Sequence, residues 1–254
     1  MSVDYHVQLR ALGLRPGDIV LMHSSMKALG TKMTPDAFLR EVVAYLGPEG
    51  TLLLPALTYE NVNANQPLFS VRETEPCIGL LPRAFFRMKG VSRSLHPTHS
   101  VCALGKMAEE LTSGHALDDT PVGPRSPFML LPAYGGKLLF IGDVLGSCTF
   151  LHGIEEIAGA PYTLARGRTR YTVENFLGQR QDRYMISHDF DGWDQQYQRI
   201  REILTYPDLR TGKVGEADCT LIDAEALAEK ALEKLRRDPF FFVSRRGNAP
   251  LSMV

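Results

Sequence analysis

No apolar run in this chain approaches the roughly 20 residues that a membrane helix needs; the longest, such as Leu52–Leu54, are strand-sized. The first residues, MSVDYHVQLRALG, lack an apolar export core and carry Asp4 early, so no signal peptide is expected. Cysteine is scarce and scattered: Cys77, Cys102, Cys148 and Cys219 form no CxxC pair, which argues against a zinc knuckle or thioredoxin-like motif. Reduced thiols in a cytoplasmic protein are the expectation. Charge of either sign is not in excess, with 28 Lys plus Arg against 29 Asp plus Glu. Duplex nucleic acid, which demands a basic face, is therefore not the expected partner. There is no GxxxxGK[ST] phosphate loop, no G-x-S-x-G elbow around Ser147 and no HExxH. No repeat, low-complexity stretch or linker divides residues 1–254, so one domain is expected, although the part from about 165 could form a smaller subdomain.

What is present is an alternation of strand-like and helix-like segments. Asp18–His23 reads as a buried strand after the Pro16-Gly17 turn. Thr34 then caps a helix with Pro35 at its first position, and Gly47-Pro48 ends it. Gly50–Leu57, Ser100–Leu104 and Lys137–Gly142 are further strands. Helices are expected over Leu80–Met88, Lys106–Gly114, Thr149–Ala158, Gly192–Leu204 and Ala224–Arg237. Thr169–Glu174 and Asp182–His188 look like an antiparallel pair. The pattern predicts an α/β fold, a three-layer α/β/α sandwich around a mixed, largely parallel sheet.

Reactive residues gather where strands end, the place where α/β sheets bind ligands. His23–Gly30 (HSSMKALG) holds Ser24, Ser25 and Lys27; a plain turn with satisfied hydroxyls is the ordinary alternative. Arg93–Ser100 (RSLHPTHS) concentrates a guanidinium, His96, His99, Ser94 and Ser100. Pro97 opposes a helix there, so an anion or polar-ligand loop fits better than an HxxH metal site. Ser126-Pro127 reads as the cap and first residue of a short helix that either binds an anion or only caps itself. In TFLHGIEE, His152 and Glu155 stand at i and i+3 and can touch, as a general base and its orienting carboxylate do; a surface ion pair is the ordinary alternative. Cys148, just before that helix, is a candidate nucleophile.

The order of these segments, RPGDIVLMHSSMKALG, GTLLLPALTY, RSLHPTHSVCALG, Thr120-Pro121 to Phe128 and TFLHGIEE, resembles the aminoglycoside 3-N-acetyltransferase family from about Leu14 to Tyr162. The resemblance implies acetyl-coenzyme A as co-substrate, no metal, and a small-molecule amine acceptor such as the 3-amino group of an aminoglycoside. A homodimer is a further option. By position it implies acid–base roles for His152, Glu155 and His96, and coenzyme A contacts at His23, Ser24, Ser25, Lys27, Gly30, Arg93, Ser94, His99, Ser100, Val101, Ser126 and Phe128. Acceptor contacts fall at Tyr59, Glu60, Asp143, Glu156 and Asp189. The loop before TFLHGIEE departs from the family pattern, with Cys148 in place of Asn and Asp143 added. The other readings are a hydrolase working through Cys148 or through a metal on His96 and His99, and a non-catalytic acyl-CoA-binding relative.

Overall fold

The computed structural model describes residues 4–247. It runs α1 (Tyr5–Leu12), β1 (Ile19–Ser24), α2 (Pro35–Leu46), β2 (Thr51–Pro55), β3 (Leu68–Ser70), α3 (Leu80–Arg87), β4 (Ser92–Arg93), β5 (Val101–Gly105), α4 (Ala108–Ser113), α5 (Pro127–Leu130), β6 (Lys137–Ile141) and α6 (Thr149–Ala158). There follow β7 (Leu164–Glu174), β8 (Arg180–His188), β9 (Trp193–Gln195), α7 (Ile200–Ile203), β10 (Leu209–Val214), β11 (Ala217–Asp223), α8 (Ala224–Arg237) and β12 (Val243–Arg245).

The main sheet has the order β10-β11-β6-β1-β2-β5-β4. Its core, β6-β1-β2, is parallel, and antiparallel strands extend it on both sides. Both faces are covered, so the strands are apolar on both. Along β1, Leu21 points into one core with Phe128, Phe150, Ile154, Leu227 and Leu235, while Val20 and Met22 point into the other with Leu9, Phe38, Val42 and Phe85. Helices α1, α2 and α3 thus cover one face and α4, α5, α6 and α8 the other, giving the three-layer α/β/α sandwich. Full burial of each Leu or Phe contributes on the order of 1.5–3 kcal/mol.

Local signals set the helices. Thr34 Oγ1 accepts from Ala37 N, Ser126 Oγ from Met129 N and Asp223 Oδ1 from Ala226 N, each capping the helix that follows. Glycine serves packing in α6, where a Cβ at Gly153 would stand 2.6 Å from Met129 Sδ and 2.7 Å from Val122 Cγ1. Gly215, at φ +60°, makes the turn between β10 and β11.

One expectation changes. The helix expected over Gly192–Leu204 is instead β9, a 3-10 turn at Tyr197–Arg199 and the short α7, because Trp193–Gln195 pairs with β12. Residue 164 marks a change of sheet: β7 and β8 pair with β3 in a three-stranded sheet, and the chain then returns to the main sheet through β10 and β11. Among the described residues no helix is long and apolar enough to cross a membrane.

Candidate active site

The parallel strands β1 and β6 end below a cavity of about 540 Å³. Its wall comes from the loop after β2 (Tyr59, Val62), the loop before β5 (Thr98, His99), the start of α6 (Thr149, His152), strands β7 and β8 (Tyr171, Ser187, His188) and the following loop (Phe190, Gln195). Because β5 runs antiparallel to β2, with Val101 opposite Pro55, the loop before β5 reaches the same end of the sheet as the parallel strands.

His152 projects from the first half of α6, 16% exposed at its side chain. Its Nδ1 lies 2.6 Å from the Tyr197 hydroxyl, which donates to Glu155 Oε2 at 2.8 Å. Glu155 is fully buried, and its other oxygen accepts from Tyr162 at 2.9 Å. The tyrosine proton can serve only one acceptor. With Glu155 holding it, His152 Nδ1–H donates to Tyr197, which leaves Nε2 as the free lone pair. The direct His152–Glu155 approach is 3.5 Å, at the limit of a hydrogen bond, so the tyrosine makes the stronger link. Burial, with Glu155 beside it, pushes the Tyr197 hydroxyl well above its usual range, so it remains a donor.

A second imidazole stands beside the first. His188 Nε2 lies 2.7 Å from Glu156 Oε1, which also accepts from Val122 N at 2.8 Å. The His188 ring is centred 4.9 Å from His152 and 4.8 Å from His99. Burial lowers His188 well below the normal imidazole range and raises the Glu156 carboxyl to about 7. Behind His99, His96 stacks on His115 at 4.7 Å. His115 is fixed as a neutral ring, with Nδ1 bonded to Ser94 Oγ at 2.9 Å and Nε2 donating to Pro121 O at 3.2 Å. His96 Nδ1 accepts from Thr98 N and His99 N, so it organises its own loop. Burial holds His96 and His99 neutral as well.

Of the expected site residues, Tyr59, His99 and His152 line this cavity, with Glu155 directly behind. His96 is buried one layer deeper. Many of the expected coenzyme A contacts serve the fold instead. Arg93 is 4% exposed; its guanidinium donates to Ser100 Oγ (2.9 Å), Thr74 O (2.6 Å), Val71 O (3.3 Å) and Ala56 O (3.2 Å), between the rings of Phe69 and Phe86. It is not free to meet a phosphate. Ser94 accepts from Val101 N, Ser100 donates to Ala56 O, and Ser126 caps α5. Val101 and Phe128 are core residues. His23 stacks on Phe140 beneath the cavity, with burial taking its pKa to about 3. Ser24 at the end of β1, and Ser25, Lys27 and Gly30 in the turn after it, keep some exposure, and His99 reaches the cavity.

The expected acceptor acids do not converge. Asp143 lines a separate depression with Arg201, Lys213 and Asp218. Glu156 is taken by His188, and Glu60 and Asp189 are exposed residues next to Tyr59 and His188. The wall described above carries no carboxylate among the described residues. Cys148 is buried in the core, off the cavity, and burial pushes its thiol up to about 12, so it is no nucleophile at neutral pH. Sequence reading missed His188, Tyr162 and Tyr197. Tyr197 lies 45 residues from His152, and no spacing rule connects them.

A mixed α/β sheet carries, at the end where its parallel strands stop, a cavity lined by the imidazoles of His99, His152 and His188, with the carboxylates of Glu155 and Glu156 behind them. A profile of the aminoglycoside 3-N-acetyltransferase family matches residues 21–236, and the chain belongs to that family of acyltransferases. It is 35% identical over 171 residues to aminoglycoside N(3)-acetyltransferase VII of Streptomyces paromomycinus, an alignment covering 60% of this chain and 59% of that protein. Among solved structures, AAC-IIIb in binary complex with CoASH superposes with a TM-score of 0.79 at 28% identity, covering 92% of this chain and 95% of that one. AAC-VIa bound to sisomicin gives 0.78 at 28% identity, covering 92% and 96%.

Proposed function

We propose that the protein moves an acetyl group directly from acetyl-coenzyme A to an amine held in this cavity, the 3-amino group of an aminoglycoside or a related amine, with His152 as general base. The hydrogen-bonded chain His152–Tyr197–Glu155 carries the reading, because it fixes the imidazole and leaves Nε2 open to the cavity. The acceptor ammonium gives one proton to Nε2, and its freed lone pair attacks the thioester carbonyl. The buried Glu155 stabilises the imidazolium through Tyr197. The first turn of α6 begins at the cavity, where Thr149 lines the wall, and the Thr149 N–H serves as a donor to the tetrahedral oxyanion.

Relatives support both substrates: AAC-IIIb is known with CoASH and AAC-VIa with sisomicin. Of the expected coenzyme A contacts, the turn after β1, with Ser25 and Lys27, and His99 in the cavity wall remain accessible to a ligand. Direct transfer agrees with the buried, protonated Cys148. Recognition of a cationic acceptor would fall to the exposed acids Glu60 and Asp189 at the rim. The test is free-thiol release from acetyl-coenzyme A with aminoglycosides, polyamines and amino sugars. His152→Ala should lose at least a hundredfold in kcat, with coenzyme A still raising the melting temperature. Wild-type turnover in His152→Ala would remove His152 from the mechanism.

A further inference from the structure

Acetylating an ammonium releases two protons from nitrogen, one before attack and one after, and His152 accounts for the first. The cavity holds a second imidazole of the same construction. His188 lines it, is backed by the buried Glu156 through Nε2 at 2.7 Å, and keeps Nδ1 as the nitrogen available to a ligand. Its ring centre lies 4.9 Å from that of His152, close enough for both to address one nitrogen. Glu156 is anchored by Val122 N, so the pair is oriented and does not swing freely as a surface pair would.

We propose that His188 and Glu156 form a second acid–base unit, which takes the later proton from the acceptor nitrogen and returns it to the departing thiolate. This rests on the acetyl-transfer reading above. The steps balance as follows. His152 takes one proton from R–NH3+, and the amine nitrogen bonds to the acetyl carbon, giving a tetrahedral adduct with a positive nitrogen and an oxyanion. His188 Nδ1 removes the second nitrogen proton. The oxyanion re-forms the carbonyl as the carbon–sulfur bond breaks, and the thiolate takes the proton from His188. The amide and the free thiol leave, and the proton on His152 passes to solvent.

The groups facing this pair are His99 from the loop before β5, His96 behind it, His152 on α6, Asp118 and Asp119 near Glu156, and Asp189 next in the chain. Glu156, raised by burial to about 7, is placed to gain a proton just below neutrality, with His188 held neutral by burial and Asp118 raised to about 6.

The experiment is the pH profile of thiol release from acetyl-coenzyme A, with an amine the wild type accepts, for wild type, His188→Gln, Glu156→Gln and Glu156→Asp. The wild-type kcat should fall below about pH 7. In His188→Gln and Glu156→Gln, kcat at pH 8 should drop at least tenfold and the acid limb should move away from the wild-type inflection, with KM for acetyl-coenzyme A unchanged within threefold. Glu156→Asp should recover part of kcat together with the inflection. Variants that keep the wild-type profile and kcat within twofold overturn the proposal. Nitrogen NMR of the wild-type imidazoles gives a measurement that no variant's folding can spoil: His188 must be neutral at pH 8, and a cationic His188 overturns it. A wild type that releases no thiol with any amine refutes the acetyl-transfer reading itself, a result distinct from active enzyme with an indifferent His188.

Discussion

Moving the protein from pH 7.5 to 5.5 should destabilise it sharply, because most of its histidines are folded in the neutral form. His23, His96, His99, His115 and His188 are all buried, and burial is the main cause holding each below the usual imidazole range, with His23 and His115 at about 3. In the unfolded chain each imidazole titrates near 6.5. These groups therefore stabilise fully above about 6.5, and that stability is lost as the pH falls, because the unfolded state takes up protons that the native state refuses. Two groups oppose them. Burial raises Glu156 to about 7 and Asp118 to about 6, so between their unfolded values and these the native state binds protons that the unfolded state does not. Each histidine forfeits about 1.4 kcal/mol by pH 5.5, and the two acids return roughly 3 kcal/mol between them. The net loss is roughly 4 kcal/mol against a typical total of 5–15 kcal/mol. At about 2–4 °C per kcal/mol for a chain of this size, the melting temperature should fall by roughly 8–16 °C. Thermal melts followed by circular dichroism at pH 7.5, 6.5 and 5.5, at constant ionic strength, read this directly. A fall of less than about 3 °C would show that the buried imidazoles take up protons without unfolding, and would refute the neutral cluster.

Two substitutions separate roles that the sequence leaves joined. Arg93→Ala removes the donor to three carbonyls and to Ser100, all but the Thr74 carbonyl in buried contacts. Each buried acceptor left without its donor costs about 1–3 kcal/mol, visible as a lower urea midpoint, whereas a Kd change for coenzyme A with an unchanged midpoint would return Arg93 to the ligand site. Cys148→Ala should keep kcat within about threefold, because a buried thiol near pKa 12 carries no acetyl group; loss of turnover in a variant that melts like the wild type would point to a covalent intermediate.

Much of the sandwich is readable because its signals are local. Thr34-Pro35, Ser126-Pro127 and Asp223 cap helices as their chemistry dictates, and β1, β2 and β6 are apolar runs that only a sheet covered on both faces can bury. The antiparallel direction of β5 and β11 was not readable, since a strand buried on both faces shows no alternation to reveal its neighbour. Helix α1 carries local signals of the same kind, Asp4 as its cap and the left-handed Gly13 as its stop. At the site, local spacing found His152 and Glu155 but offered nothing about Tyr162, Tyr197 or His188, which tertiary pairing delivers. Arg93, Ser94 and Ser100 show the converse: polar residues clustered in a loop read as ligand contacts, yet this loop spends them on its own backbone.

The adjacent acids Glu155 and Glu156 connect these observations. Successive helical residues point about 100° apart, so the two carboxylates of α6 cannot serve one partner. Glu155 turns inward to Tyr197 and Tyr162 and so reaches the imidazole of its own helix. Glu156 turns towards β8 and takes His188 from a strand more than thirty residues on. A pair that looked like one catalytic acid and one substrate-binding acid is therefore two supports for two imidazoles. The cost is that no carboxylate is left on α6 to attract a cationic acceptor. Whatever selects the amine must act from the loop after β2 and the loop after β8, where Tyr59–Glu60 and Asp189–Phe190 stand, and acceptor preference should change through those loops while α6 stays fixed.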